Sequence, residues 1–249
     1  MEKTNQITNV ETVERDWKIL YNVGGIAALL IVLTALSEII ITFLPGGYAS
    51  SETVSDWFIL LHNDSFLGLR NLGLLNIIMT ALGIPMYFAL FAAHRNISMP
   101  FAGFAMILFI IGTSVFYATN RAFPMLELSS QYASATTDAQ KNLLLAAGQA
   151  MLSVGQSHTP GTFLGFFFSA AAGIVISIVM LRGKVFNSLN AYFGIVGFSL
   201  LMIFDICSSF VPSLSNVVLI FAMCGGPLSI LWYILIAQKL FQLGKMSSD

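Results

Sequence analysis

Residues 161–181 read GTFLGFFFSAAAGIVISIVML, a run without a charged side chain that ends at the basic turn Arg182-Gly183-Lys184. The hydrocarbon core of a bilayer is about 30 Å thick and takes about 20 apolar residues in helical form. This run is therefore long enough to cross a membrane as one helix. Five further stretches have the same character, and together they predict membrane spans at about 18–44, 68–93, 101–120, 161–181, 189–210 and 217–241.

The composition fits a membrane protein rather than a soluble one. Of the 249 residues, 57% are hydrophobic and 9% are charged, against about 25% charged residues in soluble domains. Six spans and their connections fill nearly the whole length, so we expect one integral membrane domain over 1–249. The predicted fold class is all-α, a polytopic transmembrane bundle of six helices. The lipid bilayer is then an obligatory partner.

The distribution of basic residues predicts the orientation. Cytoplasmic connections carry an excess of Lys and Arg. Of the 11 Lys and Arg residues, only Arg70, Arg121 and Lys141 fall on one side of the predicted spans. The remaining eight lie at the chain ends and in the connections after spans two and four. We therefore expect both termini in the cytoplasm and the protein in the cell (inner or plasma) membrane.

The two long connections, 45–67 and 121–160, both fall on the outer side. Within the second, residues 138–156 predict an amphipathic helix lying at the membrane interface. Ser55-Asp56-Trp57-Phe58 predicts the start of a second, shorter interfacial helix. The apolar face of the first helix comprises Leu143, Leu144, Ala147, Met151 and Val154.

Small residues and prolines interrupt the apolar runs. Gly165, Ser169, Gly173 and Ser177 recur every four residues and predict close helix packing. Gly83-Ile84-Pro85 and Gly225-Gly226-Pro227 are predicted to interrupt spans two and six. Such an interruption is either a plain kink or a site where freed backbone groups bind a substrate or an ion, as in transporters.

Polar groups inside or beside the spans give the candidate site. Two acids, Glu38 and Asp205, and two arginines, Arg70 and Arg121, are predicted to lie at one level in the outer third of the bilayer. Charged side chains inside a membrane usually face the interior of the helix bundle. One interpretation is a set of salt bridges that tie helix ends together. The other is an outward-facing vestibule in which the arginines bind an anionic or polar head group, the acids relay protons and the outer connections act as lids. The candidate ligand-binding residues are Glu38, Arg70, Asn71, Asn120, Arg121, Glu127, His158 and Asp205.

No motif points to catalysis or to a cofactor. His62, His94 and His158 lie near span ends, which argues against haem held across a bundle. A His-Glu-x-x-His zinc motif and a Gly-x-Ser-x-Gly elbow are absent from the sequence. Cys207 and Cys224 lie in predicted spans, as buried thiols. The net charge of -1 and the lack of a Lys/Arg run argue against nucleic acid as a partner. We expect no catalytic residue, no cofactor and no metal.

Three motifs carry a resemblance over roughly residues 70–243. They are Asn120-Arg121-Ala122-Phe123 with Glu127, the run 179–184 followed by 189–197, and Cys224-Gly225-Gly226-Pro227-Leu228. In these the chain resembles a widespread prokaryotic family of six- to seven-helix membrane proteins of unknown function. The resemblance implies an all-α membrane fold and makes Arg121 a position of interest. It implies no activity.

The expected function is the binding or transport of a small molecule or lipid head group in an outward-facing polar pocket. A structural, accessory or sensor protein without a substrate is the first alternative. An intramembrane enzyme that modifies lipid is the second. It would need a nucleophile or base within hydrogen-bond reach of Glu38, Glu127, His158 or Asp205. The oligomeric state does not follow from the sequence.

Overall fold

The chain is predominantly helical over the residues that the computed structural model describes, which are 2–43, 53–155 and 157–245. These residues contain no strand, and the predicted all-α class is confirmed. The α-helices are α1 Glu2–Phe43, α2 Val54–Asn63, α3 Ser65–Asn71, α4 Leu74–Thr119, α5 Ala122–Ser134, α6 Asp138–Leu152, α7 Phe163–Gly183, α8 Ser188–Phe210 and α9 Ser215–Lys245.

Five helical stretches are long and apolar enough to cross a membrane. They run over Glu14–Thr42, Leu74–Ser134, Phe163–Gly183, Ser188–Phe210 and Val217–Lys245. Their outer surfaces are apolar as well. On α1, the side chains of Ile19, Ile26, Leu33 and Ile40 recur every seven residues and are all exposed. A lipid-facing helix presents such an exposed apolar stripe. These side chains therefore support the interpretation that the chain is a membrane protein.

Helix α4 folds back on itself at Ser98. That residue has non-helical backbone angles, φ -154° and ψ 64°, because Pro100 cannot donate its backbone hydrogen bond and crowds the turn before it. The arms 74–97 and 99–119 then pack side by side in opposite directions. Tyr87 stacks on Phe109 with ring centroids 4.1 Å apart, and the Tyr117 hydroxyl donates to the carbonyl of Ile77 at 3.3 Å.

Two details of the span predictions are wrong. Helix α4 continues through Pro85 and α9 continues through Pro227, so neither proline interrupts its helix. A proline deletes one backbone hydrogen bond, and a helix can bend there without ending. The second predicted span starts too early, because Gly73 has φ +100° and separates α3 from α4. The helix proper begins at Leu74.

Helices α2, α3, α5 and α6 form a second, smaller core over one end of the bundle, which we call the cap. Its buried centre contains Trp57, Phe58, Leu61, Leu72 and Met125. The larger core belongs to α1, α4, α7, α8 and α9, which we call the bundle. We refer to the end of the bundle under the cap as the capped end and to the other as the opposite end.

The cap contains both helices expected in the outer connections. Helix α2 begins at Val54 with a capping box between Thr53 and Asp56, while residues 45–52 of that connection lie outside the described residues. Helix α6 ends at Leu152, before Val154, and Gln156 also lies outside the described residues. Leu144 and Met151 pack against the cap core, whereas Leu143 is 72% exposed. That these helices are amphipathic and lie at a membrane interface stays a prediction.

Candidate functional site

A cavity of about 250 Å³ lies inside the bundle toward the capped end. Helices α1, α4, α7, α8 and α9 all contribute to its wall, and most of the wall is apolar, with Met79, Phe109 and Phe198 among its side chains. The helices approach closely around it, since a Cβ added to Gly83 would lie 2.1 Å from Cζ of Phe109. The wall residues with polar side-chain groups are Asn76, Thr80, His158, Ser169, Asp205, Ser229 and Tyr233.

Asp205 is the acid of this cavity. It lies on α8 and is 1% exposed. Its Oδ1 is 3.2 Å from Nδ1 of His158, while Oδ2 is buried and has no hydrogen-bond partner among the described residues. A buried polar atom without a partner is costly. Asp205 is therefore a wall residue of a mostly apolar cavity that keeps one buried acceptor without a partner among the described residues.

His158 is a wall residue of the cavity that lies in the turn between α6 and α7. Its φ of +61° is unusual for a residue with a side chain, and Gly155 in the same turn has φ +93°. The ring packs between Phe166 and Phe204, with centroid distances of 4.2 and 4.8 Å. Strained backbone of this kind persists where surrounding contacts fix it and is frequent at binding sites.

Arg70 and Glu38 form an ion pair between α3 and α1. The Arg70 Nε donates to Glu38 Oε2 at 3.2 Å, and its NH2 is 3.1 Å from Oε1. The same guanidinium also donates to Asn71 Oδ1 at 3.0 Å, to the Glu38 carbonyl at 3.1 Å and to Thr42. Arg70 is buried, while the Glu38 side chain is 40% exposed. These bonds attach the cap to the bundle.

Arg121 and Asn120 hold the cap together from its other side. Arg121 is buried and donates from NH1 to the carbonyl of Leu152 at 3.1 Å. Leu152 is the last residue of α6, where a cation interacts favourably with the helix dipole. Asn120 Oδ1 accepts from the Ala122 N–H at 2.9 Å and fixes the start of α5. Both side chains are bonded to groups that shape the fold.

The eight candidate residues thus fall into separate groups. Glu38, Arg70 and Asn71 share a hollow of about 220 Å³ that also borders Asn76, a wall residue of the cavity. Asn71, Asn120 and Arg121 border a small hollow of about 30 Å³. His158 and Asp205 belong to the cavity itself. Glu127 is apart, on the cap surface beside His62, where it accepts from Gln131 Nε2 at 2.8 Å.

Several cavity residues were not among the candidates. Asn76 and Thr80 lie four residues apart and so share a face of α4, and Ser169 belongs to the stripe of small residues on α7. Their polarity within apolar runs was the available signal. The hydroxyls of Thr80, Ser169 and Ser229 each donate to a carbonyl of their own helix. Serines and threonines that only pack between helices make the same bond, so these residues could not be distinguished from packing residues. In the described ranges, no three His, Cys, Asp or Glu side chains cluster to hold a metal.

Comparison of the chain with models of protein families finds no match, and comparisons with curated proteins and with solved structures find none either. Function therefore rests on the geometry of the chain itself. The cavity and its Asp205–His158 pair are the strongest basis that this geometry offers.

Proposed function

We propose that this chain is a multi-pass membrane protein that binds a small organic molecule in the bundle cavity. The observation that carries the proposal is Asp205, a wall residue of a largely apolar cavity whose Oδ2 is buried without a hydrogen-bond partner among the described residues. Binding sites of this kind combine apolar walls with a few placed polar groups. An engineered cavity of about 150 Å³ holds benzene, so about 250 Å³ suits a somewhat larger molecule.

The ligand class follows from what the cavity offers. A carboxylate oxygen accepts hydrogen bonds, which favours an amine, hydroxyl or amide on an otherwise apolar ligand. The anionic ligand expected from the sequence has less support, because Arg70 is bonded to Glu38 and Arg121 to the end of α6. The hollow beside Glu38 and Arg70 is the approach from outside, since it shares Asn76 with the cavity.

The proposed topology has six spans with both termini in the cytoplasm and the cap outside the cell membrane. The antiparallel arms of α4 support two crossings in place of one. The end of the bundle that is richest in Lys and Arg supports the orientation, because such ends face the cytoplasm. There, Arg95 lies over the Trp17 ring at 3.8 Å and Arg182 over the Phe101 ring at 5.3 Å, so residues from four chain segments meet at the end richest in Lys and Arg.

Transport is the activity that we attach to this binding site. His158 contacts Asp205 on the cavity wall, and a movement of its side chain would expose Asp205. A structural or accessory role is the second candidate, and the bonds of Arg70 and Arg121 favour it. An enzyme that acts on lipid has less support, because no hydroxyl of the described residues is hydrogen-bonded to His158 or Asp205.

The test is thermal unfolding of the purified full chain in mild detergent with three ligands of one shape. Benzylamine, benzyl alcohol and benzoate share a ring and differ in the polar group. We expect the amine and the alcohol to raise the unfolding midpoint, with about 2.7 kcal/mol of stabilisation at 100 times Kd. Asp205→Asn should remove the preference for the amine.

The control variant is Arg121→Leu, which should lower the midpoint without changing which ligand binds. Stabilisation by benzoate alone, abolished in Arg121→Leu, would replace this proposal with an anion site at the cap. A lack of response to all three ligands, together with a lower midpoint for Asp205→Asn, would favour the structural role.

A further inference from the structure

The acid of the cavity and its histidine partner differ in their exposure. The side chain of Asp205 is 2% exposed, whereas that of His158 is 32% exposed. His158 also lies in a surface turn, where the neighbouring residues Ser157 and Pro160 are exposed. The imidazole ring can therefore exchange a proton with water, while the carboxylate is shielded behind it on α8.

The geometry of the pair indicates which imidazole nitrogen exchanges the proton. Nδ1 of His158 is 3.2 Å from Oδ1 of Asp205. An ionised carboxylate only accepts hydrogen bonds, so Nδ1 carries a hydrogen and donates it to Asp205. Nε2 is then the nitrogen that gains a proton when the ring becomes an imidazolium and loses it when the ring becomes neutral.

The cavity wall offers one cation to balance the charge of Asp205. The wall residues from α1, α4 and α7 carry no titratable group, and the titratable wall residue of α9 is Tyr233, whose type is neutral at physiological pH. The ring of His158 otherwise packs against the uncharged rings of Phe166 and Phe204. Among the described wall residues, the imidazolium of His158 is therefore the available counter-ion of Asp205.

The adjoining hollow leaves this balance unchanged. It contributes Arg70 from α3 and Glu38 from α1, which form an ion pair with each other. Their opposite charges cancel at a distance, so they add no net charge to the cavity. A buried ion without a compensating charge is strongly unfavourable, and the carboxylate consequently favours the protonated form of His158 when the cavity holds no cation.

A ligand that carries an ammonium group would take over the role of the imidazolium. If both cations remained, one carboxylate would face two positive charges among apolar walls, where like charges repel strongly. Loss of the proton from Nε2 of His158 removes that repulsion. One ammonium ion then enters, one proton leaves to water, and the net charge of the site is zero in both states.

We propose that the bundle cavity exchanges protons for organic cations. The proton on Nε2 of His158 and the ammonium group of the ligand bind in alternation as counter-ions of Asp205. This inference rests on the proposed function and deepens it, because it narrows the ligand class to amines that are charged at neutral pH. It also makes the proton the second ligand of the same site.

The variant that separates the two roles of the histidine is His158→Asn. The amide nitrogen of asparagine stands where Nδ1 stands in histidine, so it keeps a donor for Asp205, but an amide does not titrate. Asparagine also tolerates a positive φ such as the +61° of this position. The matched control is His62→Asn, because His62 is exposed on the cap surface.

The test is isothermal titration calorimetry of the full chain in mild detergent, with benzylamine and benzyl alcohol as the probes. Titrations at about pH 6, where an ordinary imidazole is mostly protonated, are compared between phosphate and Bis-Tris, which differ in their enthalpy of ionisation. The difference in heat gives the number of protons released. We expect roughly one proton per benzylamine for the wild type and His62→Asn. Benzyl alcohol, and benzylamine with His158→Asn, should release close to none.

Three outcomes would contradict the exchange. If the wild type binds benzylamine without releasing a proton, the exchange is wrong and the binding site stands. If His158→Asn still releases the proton, the proton comes from another group, and the role of His158 is wrong. If neither probe binds, the proposed function fails, and the exchange fails with it.

A second measurement uses the wild type alone and so does not depend on the folding of a variant. Protons compete with the amine in the proposed site, so the Kd of benzylamine should rise about tenfold between about pH 7.5 and about pH 5.5. The Kd of benzyl alcohol should stay constant within about twofold over the same range. An equal response of the two probes to pH would also overturn the exchange.

Discussion

The cap and the bundle differ in how many of their buried polar atoms lack a hydrogen-bond partner. In the cap, the buried Ser129 hydroxyl donates to the Phe58 carbonyl at 2.7 Å, and Arg121 donates to the end of α6. In the bundle, Ser177, Asn190, Asp205, Ser209 and Trp232 each keep a buried atom without a partner among the described residues. Among the described residues of the four cap helices, Asn71, at the junction with the bundle, is the one with such an atom.

This difference separates architecture from function. A satisfied buried hydrogen bond fixes one arrangement of its helices, so the polar groups of the cap are best explained by folding. Unsatisfied groups lower stability, and in native proteins each calls for an explanation such as a ligand, water or chemistry. The functional hypotheses therefore belong to the bundle. The bonds of the cap arginines, Arg70 and Arg121, stabilise the fold, and the ligand-binding role that the sequence suggested for them stays a prediction.

The largest effect is expected where the cap joins the bundle. Glu38→Leu removes the carboxylate partner of the buried Arg70 guanidinium. Breaking a fully buried pair costs about 3–5 kcal/mol. We expect about 2–3 kcal/mol of lost unfolding free energy, because the Glu38 side chain is 40% exposed and its charge is screened by water, and because Arg70 keeps Asn71 and the Glu38 carbonyl. Denaturant unfolding in detergent measures this loss.

The matched control at the same position is Glu38→Gln, which keeps one acceptor for Arg70 and should cost less than half as much as the leucine. Similar small losses for both variants would mean that the ion pair is a solvated surface contact, and the junction would then not be fixed by Arg70.

The next effect concerns the packing of the bundle at two adjacent glycines of α9. A Cβ on Gly225 would lie 2.9 Å from the Gly197 carbonyl oxygen, whereas one on Gly226 would meet nothing within 4 Å. Gly225→Ala should therefore destabilise the protein by about 1–3 kcal/mol through overpacking. Gly226→Ala should stabilise it by up to about 1 kcal/mol through helix propensity.

The same unfolding measurement decides this pair, and each glycine is the control for the other. Equal responses would show that α8 and α9 do not pack as closely as the structure has them. A loss at Gly226 would point instead to a partner on that face of α9.

The sequence predicted the coarse fold because apolar length is a direct property of each segment. Runs such as 161–181 read as spans whatever they pack against. The bend at Ser98 was also accessible, since Pro100 and the short polar stretch before it mark a break. That the helices continue through Pro85 and Pro227 could not be predicted, because whether a proline ends or bends a helix depends on its neighbours in space.

The candidate site was harder to predict for a related reason. Depth in the membrane follows from position in a span, so Glu38, Arg70, Arg121 and Asp205 could be assigned to one level. Which of them meet depends on how each helix is rotated about its axis and on the path of the chain through the cap. In the structure, Glu38 pairs with Arg70 and Asp205 pairs with His158. Ser169 gave no signal, since a small polar residue in a span is usually a packing residue.

The smallest effect tests the opening comparison most directly, with one serine from each region. Ser129 in the cap and Ser209 in the bundle are both at most 5% exposed, and their hydroxyls differ in that the first is bonded to Phe58 and the second is unpartnered. Ser129→Ala should lower the unfolding free energy by about 1 kcal/mol, the net value of a buried hydrogen bond. Ser209→Ala should leave it unchanged or raise it by up to about 0.5 kcal/mol, because no protein hydrogen bond is lost and an unpartnered buried hydroxyl is removed. A larger loss at Ser209 than at Ser129 would mean that the bundle hydroxyl is bonded within the fold, and the division between a structural cap and a functional bundle would fail at that residue.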